Sequence, residues 1–312
     1  VTTGFDGDDT LQSGMGNDWI MGGFGSDIIG AGDGNNVIMS DTGSVERLAD
    51  GSLFMLTTNP FVGGDDQVTS GAGNDYILAG TGSDVVDGGD GDNLVATDFA
   101  DVELLADGYR SVDVDGGHTE GYDGNDEVTT GAGEDWLFGG FGDDQMRAGD
   151  GNDIAFLDTG RITRESDGIV MELEVTNPEI GGEDTLYLGG GDDMGFGGDG
   201  ADYISGGDGS DLLVGDFVVL SRDVNSLTFI QSTNPLAGAG DTINGGEGFD
   251  VQIGGHDYDL FEGYFSDDLI IGSYGRLLLG PNFELLTLSA DNAGEDLIAN
   301  SAASLYDLGI VS

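Results

Sequence analysis

The chain has 312 residues and a formal net charge of -54, with 61 acidic residues against 7 arginines and no lysine. Nucleic acid and anionic membrane surfaces would repel such a chain, so neither is an expected partner, and cations are the natural means of letting it collapse. There is no cysteine and histidine occurs only as His118 and His256, which excludes disulfides, thiolate sites and a family of imidazole sites; no apolar run reaches transmembrane length.

The first residues carry no signal-peptide pattern. The opening "VTTG" (1–4) is similar to "LTTNP" (56–60), which predicts a start inside a hairpin with further sequence upstream. From residue 4 the chain reads in nine-residue units: "GFDGDDTLQ" (4–12), "SGMGNDWIM" (13–21), "GGFGSDIIG" (22–30) and "AGDGNNVIM" (31–39). Four more units stand at each of 61–96, 121–156, 179–214 and 236–271. Position 6 is Asp in eighteen of these twenty units and Asn at Asn36 and Asn93; position 8 is apolar in all but Gly195 and Gln252. High glycine and charge alone would suggest disorder. A disordered tract has no reason to keep this register, so an ordered repeat array is expected.

The units resemble the RTX (hemolysin-type) calcium-binding nonapeptide, G-G-x-G-x-D followed by x-U-x with U apolar. The fullest matches are "GGDGSDLLV" (206–214), "GGDGADYIS" (197–205), "GGFGDDQMR" (139–147) and "GGDGDNLVA" (88–96). The resemblance implies an all-β fold, a right-handed parallel β-roll solenoid with two units per turn. It also implies multiple Ca2+ ions between turns, held by position-6 side chains and carbonyls of the glycine region. Carried over position by position, the implied ligands are Asp9, Asp18, Asp27, Asn36, Asp66, Asp75, Asp84, Asn93, Asp126, Asp135, Asp144, Asp153, Asp184, Asp193, Asp202, Asp211 and Asp250. Asn36 and Asn93 keep an oxygen but lose a charge, so weaker sites are expected there. The units at 254–271 lack the fourth-position glycine and are not counted. The chemistry agrees: glycine allows positive φ and close approach of carbonyls, and a hard dication wants six to eight oxygens, more than one turn supplies.

Inserts separate the sets at 40–60, 97–120, 157–178, 215–235 and 272–290, a departure from the family pattern. The chain thus divides into one elongated solenoid of five super-repeats (4–60, 61–120, 121–178, 179–235, 236–290) and a C-terminal segment, 291–312, read as a cap. A type I secretion signal could overlap that tail. Each insert reads as strand–turn–strand: "RLADGSLFML" (47–56) and "RESDGIVMELEV" (164–175) place Asp-Gly between apolar runs, and "RLLLGPNFELLTL" (276–288) uses Gly-Pro-Asn.

Odd units should form one sheet and even units the other, with position 8 inward and positions 7 and 9 outward. In the even units all twenty outward residues, from Trp19 and Met21 to Leu269 and Ile271, are apolar or aromatic. Left open, that face would be a large adhesive patch. Two even strands and one two-stranded hairpin each span roughly 9.5 Å, so successive hairpins are expected to cover it as a third, antiparallel sheet. Six of the seven arginines lie in the inserts; local pairing with carboxylates is the leading reading, docking of an acidic partner the other.

Nothing supports catalysis, so no enzyme is expected. The expected function is a secreted calcium-binding structural module that folds on Ca2+ outside the cell, as part of an adhesin, surface-layer, matrix or filament protein at the bacterial surface or beyond it. Expected partners are calcium ions, with self-association or a cell-surface partner beside them, and no membrane insertion. The alternative is the calcium-dependent C-terminal module of a secreted hydrolase or toxin. Ice or mineral binding through a threonine row is weaker, because Gln12 and Tyr187 interrupt it.

Overall fold

A computed structural model describes residues 2–3, 7–58, 62–107, 110–114, 124–166, 171–177, 181–223, 228–233, 237–263, 268–272, 275–279, 285–290 and 297–300. Among these residues there are only strands, arranged in two eleven-stranded parallel sheets and one ten-stranded antiparallel sheet. Even units supply one parallel sheet, through three-residue strands such as Trp19–Met21, Val37–Met39, Tyr76–Leu78 and Leu94–Ala96. Odd units supply the other, through Thr10–Gln12, Ile28–Gly32, Gln67–Ser70 and their successors. Like positions stack on like: Trp19 pairs with Val37, Val37 with Tyr76, Tyr76 with Leu94 and Leu94 with Trp136. This is a parallel β-roll, and the nine-residue period sets its register.

Position 8 builds the core between the two parallel sheets, where Ile20, Ile29, Ile38, Val68, Ile77 and Val86 are buried along with their successors. At Gly195 the side-chain space is taken by Leu186, Leu188 and Ile204. Gln252 is fully buried in the same row, between Leu213 and Ile270.

A second core lies on the outer face of the even sheet. Positions 7 and 9 there, including Trp136, Phe138, Ile154, Phe156 and Phe196, pack against hairpin residues such as Met55, Val102, Val112, Ile162, Leu173 and Leu220. Phe138, Phe156 and Phe196 stack with ring centroids 5.2 and 4.7 Å apart. The covering layer is the antiparallel sheet, made from strand pairs 43–47/53–57, 101–104/110–114, 160–164/171–175, 218–222/228–232 and 275–279/285–290. Successive hairpins also pair with one another, as Leu53–Thr57 does with Asp101–Leu104. "MELEV" alternates buried and exposed, as a half-covered strand should. The first turn is longer than a two-residue hairpin: Leu48 N–H donates to the Ser52 carbonyl, with Gly51 at φ +101° inside the loop.

One reading changes. Thr2–Thr3 is not part of a hairpin; it joins the even parallel sheet, Thr2 opposite Ile20 and Thr3 opposite Met21. Counted back from residue 4, these residues fill positions 8 and 9 of a unit, and register outweighs the local likeness to "LTTNP". Of the insert arginines, Arg161 forms ion pairs with Asp113 at 2.7 Å and Glu174 at 3.8 Å, whereas Arg47 lies over the Trp19 ring at 5.5 Å. Within the segment 291–312 read as a cap, Leu297–Asn300 adds a further strand to the odd sheet, and 291–296 and 301–312 lie outside the described residues.

Candidate metal centre

The position-6 residues form two columns, one down each edge where the chain turns between the parallel sheets. In the odd column the backbone N–H of each residue donates to Oδ1 of the next, through Asp9, Asp27, Asp66, Asp84, Asp126, Asp144, Asp184, Asp202, Asp241 and Asp259, at 2.6–3.0 Å. The even column does the same through Asp18, Asn36, Asp75, Asn93, Asp135, Asp153, Asp193, Asp211, Asp250 and Asp268, at 2.7–3.2 Å. All seventeen expected residues therefore lie in the two columns. Asp241, Asp259 and Asp268, left out of the expected ligands, continue them with the same bond.

One carboxylate oxygen is thus spent on the ladder, and the other turns inward. Oδ2 of Asp27, Asp66, Asp84, Asp135, Asp144, Asp153, Asp184, Asp193, Asp202, Asp211, Asp241 and Asp250 is buried and accepts no hydrogen bond. What it faces is revealed by Asn36. There the amide nitrogen takes the Oδ2 place and donates to the carbonyls of Gly32 at 3.1 Å and Gly34 at 2.9 Å; Asn93 donates likewise to Gly89 at 3.1 Å. With aspartate in that place, acceptor faces acceptor, an arrangement that calls for a cation or a proton between them. For Asn36 and Asn93, expected as weaker ligands, the question is which amide atom faces the ion. Their Oδ1 already accepts a ladder N–H, which turns the amide NH2, a donor, toward the carbonyls a cation would bridge.

The position-1 glycines complete the cradle. At Gly22, Gly139, Gly197 and Gly206 a Cβ would lie within 3.0 Å of both the unit's own position-6 Oδ2 and a carbonyl oxygen of the neighbouring turn. A side chain there would fill the point on which those oxygens converge. Where serine replaces that glycine, at Ser70, its hydroxyl donates to Asp75 Oδ2 at 2.5 Å. No group of three or more acidic or histidine side chains gathers at one point among the described residues. A dication would accordingly be held by carboxylates from successive turns together with glycine-region carbonyls, the oxygen-only set that calcium prefers.

Burial away from water pushes the column carboxyls up, to about 8 at Asp66, Asp153 and Asp211 and about 10 at Asp84, where the neighbouring Asp126 adds to the effect. Asp144 and Asp202 are raised by the same burial and by adjacent rungs. These groups are poised to exchange a proton for a metal ion.

Sequence reasoning missed two features. Position 5, read as a free position, forms a counter-ladder: Ser26, Ser83, Asp92 and Asp143 donate their N–H to side-chain oxygens of Asp8, Asp65, Asn74 and Asn125 on the preceding rung. The signal was the frequency of Asp, Asn and Ser there. Four aspartates just outside the units, Asp41, Asp98, Asp158 and Asp216, are also buried beside the odd column.

A family model for the RTX calcium-binding nonapeptide repeat (4 copies) matches residues 3–38, 62–95, 120–155, 181–194 and 187–217. No curated protein matches the chain. Position-6 side chains in two continuous columns, aspartate at all but Asn36 and Asn93, glycine cradles and a roll with two units per turn agree with that match, and through these repeats the chain belongs to the RTX calcium-binding nonapeptide-repeat family.

Proposed function

We propose that the chain is a secreted structural module that is exported extended and folds on meeting calcium outside the cell, serving in an adhesin, surface-layer, matrix or filament protein. The observation that supports this reading is the row of buried Oδ2 atoms facing main-chain carbonyls. With a net charge of -54, most of the repulsion is intrinsic to the chain, and cation binding becomes folding free energy. The covered outer face of the even sheet supports a structural role, since the roll buries its apolar surface within the same chain. RTX repeats are typical of secreted proteins, and no helix among the described residues is long and apolar enough to cross a membrane.

Circular dichroism during a calcium titration tests the reading. A cooperative gain of β signal is expected. A metal-stripped chain with as much β signal and as high a melting temperature at neutral pH as the calcium-loaded chain would defeat it.

A further inference from the structure

The four aspartates outside the nonapeptide units share one place. Each stands two residues beyond a completed even strand: Asp41 after Met39, Asp98 after Ala96, Asp158 after Phe156 and Asp216 after Val214. Each takes the slot that a glycine fills where no insert interrupts the stack; Gly22 and Gly23 lie over Ser40 and Asp41. Each directs Oδ2 at the N–H of a position-3 residue on a later rung: Thr81 at 2.7 Å, Phe141 at 2.6 Å, Asp199 at 2.6 Å and His256. All four are at most 4% exposed.

Asp41, Asp158 and Asp216 each lie against the unit to which the chain returns after the hairpin, whose position-6 aspartate is Asp66, Asp184 or Asp241; Asp98 holds the same place in the sequence ahead of Asp126. Asp158 and Asp184 are the clearest pair: a Cβ on Gly181, in the returning unit, would fall 2.1 Å from Asp158 Oδ2, and Asp184 is the charged neighbour that acts most strongly on Asp158. Oδ1 of Asp158 and Oδ2 of Asp184 are both buried and accept no hydrogen bond. Likewise a Cβ on Gly63 would fall 1.9 Å from Asp41 Oδ2 and one on Gly238 1.6 Å from Asp216 Oδ1, so the returning backbone runs directly against both leaving carboxylates. Oδ1 of Asp41 and of Asp216 is buried as well and accepts no hydrogen bond. The returning units begin "FV", "GY", "EI" and "LA" (61–62, 121–122, 179–180, 236–237), so none keeps a glycine pair and only Gly121 retains the position-1 glycine of the ordinary cradle.

We propose that Asp41, Asp98, Asp158 and Asp216 are calcium ligands that replace the lost cradle, each sharing one ion with the returning aspartate, so that a cation clasps the neck of every one of these four hairpins. The proposal rests on the calcium reading above. It makes the docking of the covering sheet calcium-dependent as well as the winding of the roll, because both strands of a hairpin spring from the clasped neck.

The test compares the full chain with Asp158→Asn and with Asp158→Asn/Asp216→Asn, counting bound calcium by equilibrium dialysis and elemental analysis. One ion fewer is expected in the single variant and two fewer in the double. A hydrophobic dye should bind the calcium-loaded variants more strongly than the parent, as the apolar face loosens. An unchanged calcium count, with a calcium-stripped variant that melts higher than the stripped parent, would mean that the pair shares a proton and would overturn the assignment. Asp41→Asn repeats the experiment at an independent neck should Asp158→Asn not fold. A parent chain that takes up no calcium would instead bring down the calcium reading as a whole.

Discussion

Asn36 donates from its amide nitrogen to the carbonyl oxygen of Gly34 at 2.9 Å, filling with a neutral donor the place where rungs such as Asp135, Asp153 and Asp193 present a bare carboxylate oxygen. Asn93 does the same toward Gly89. Replacing the donor with an acceptor should convert each place into a cation site. Asn93→Asp, which completes "GGDGDD", is expected to raise the bound calcium by one ion per chain. Without calcium the same variant should melt lower, because a buried carboxylate facing carbonyls costs about 1–3 kcal/mol or more. Elemental analysis and paired melts check both arms; an unchanged ion count would refute the account of the asparagines.

The calcium-stripped chain should be more stable in mild acid than at neutral pH. Burial raises the folded-state values of Asp135 and Asp193 to about 6 and of Asp66, Asp153 and Asp211 to about 8, above an unfolded value of about 3.9. Groups raised in this way contribute stability that is fully present below about pH 3.9 and is lost as pH climbs through the folded values. The melting temperature of metal-free protein should therefore fall between pH 5 and pH 8. Saturating calcium should reverse or flatten that slope, because the ion takes the place of the proton. A metal-free melting temperature that rises over that window would contradict this.

Phe156 lies between Phe138 and Phe196 and is fully buried under the hairpin sheet. Phe156→Ala should cost about 3–5 kcal/mol, the usual penalty for emptying a buried aromatic site. Tyr258→Ala, at a residue 53% exposed, should cost no more than about 0.5 kcal/mol. Denaturant melts of calcium-loaded protein give both numbers, and equal losses would mean that the second core does not hold the layers together.

The roll and its cover were legible because two periods are written into the chain. A period of nine places Asp27 over Asp9, and a period of two sends Ile29 inward and leaves the even-unit neighbours Trp19 and Met21 facing the hairpins. The donor role of Asn36 was not legible, since a match at position 6 does not say which amide atom meets the ladder. Asp41, Asp98, Asp158 and Asp216 went unread because they fall outside the nonapeptide, although their recurrence two residues beyond each of the first four sets was visible. "VTT" was misread because a short likeness was set above the register count.

Gln252 is the one long polar side chain in the inward row, fully buried between Leu213 and Ile270, and both its amide oxygen and nitrogen are without a hydrogen-bond partner. Leucine is close to it in volume and matches its neighbours. Removing an unsatisfied buried amide returns its desolvation cost, about 1–3 kcal/mol. Gln252→Leu should therefore raise stability by that amount in both the calcium-loaded and the calcium-stripped state, since the change acts on the core between the sheets. A gain confined to the stripped state would point elsewhere: Gln252 Nε2 lies beside the cradle of Gly245 and Asp250, and the amide would then be serving the metal column instead of the core. Melts of parent and variant in calcium and in chelator separate the two.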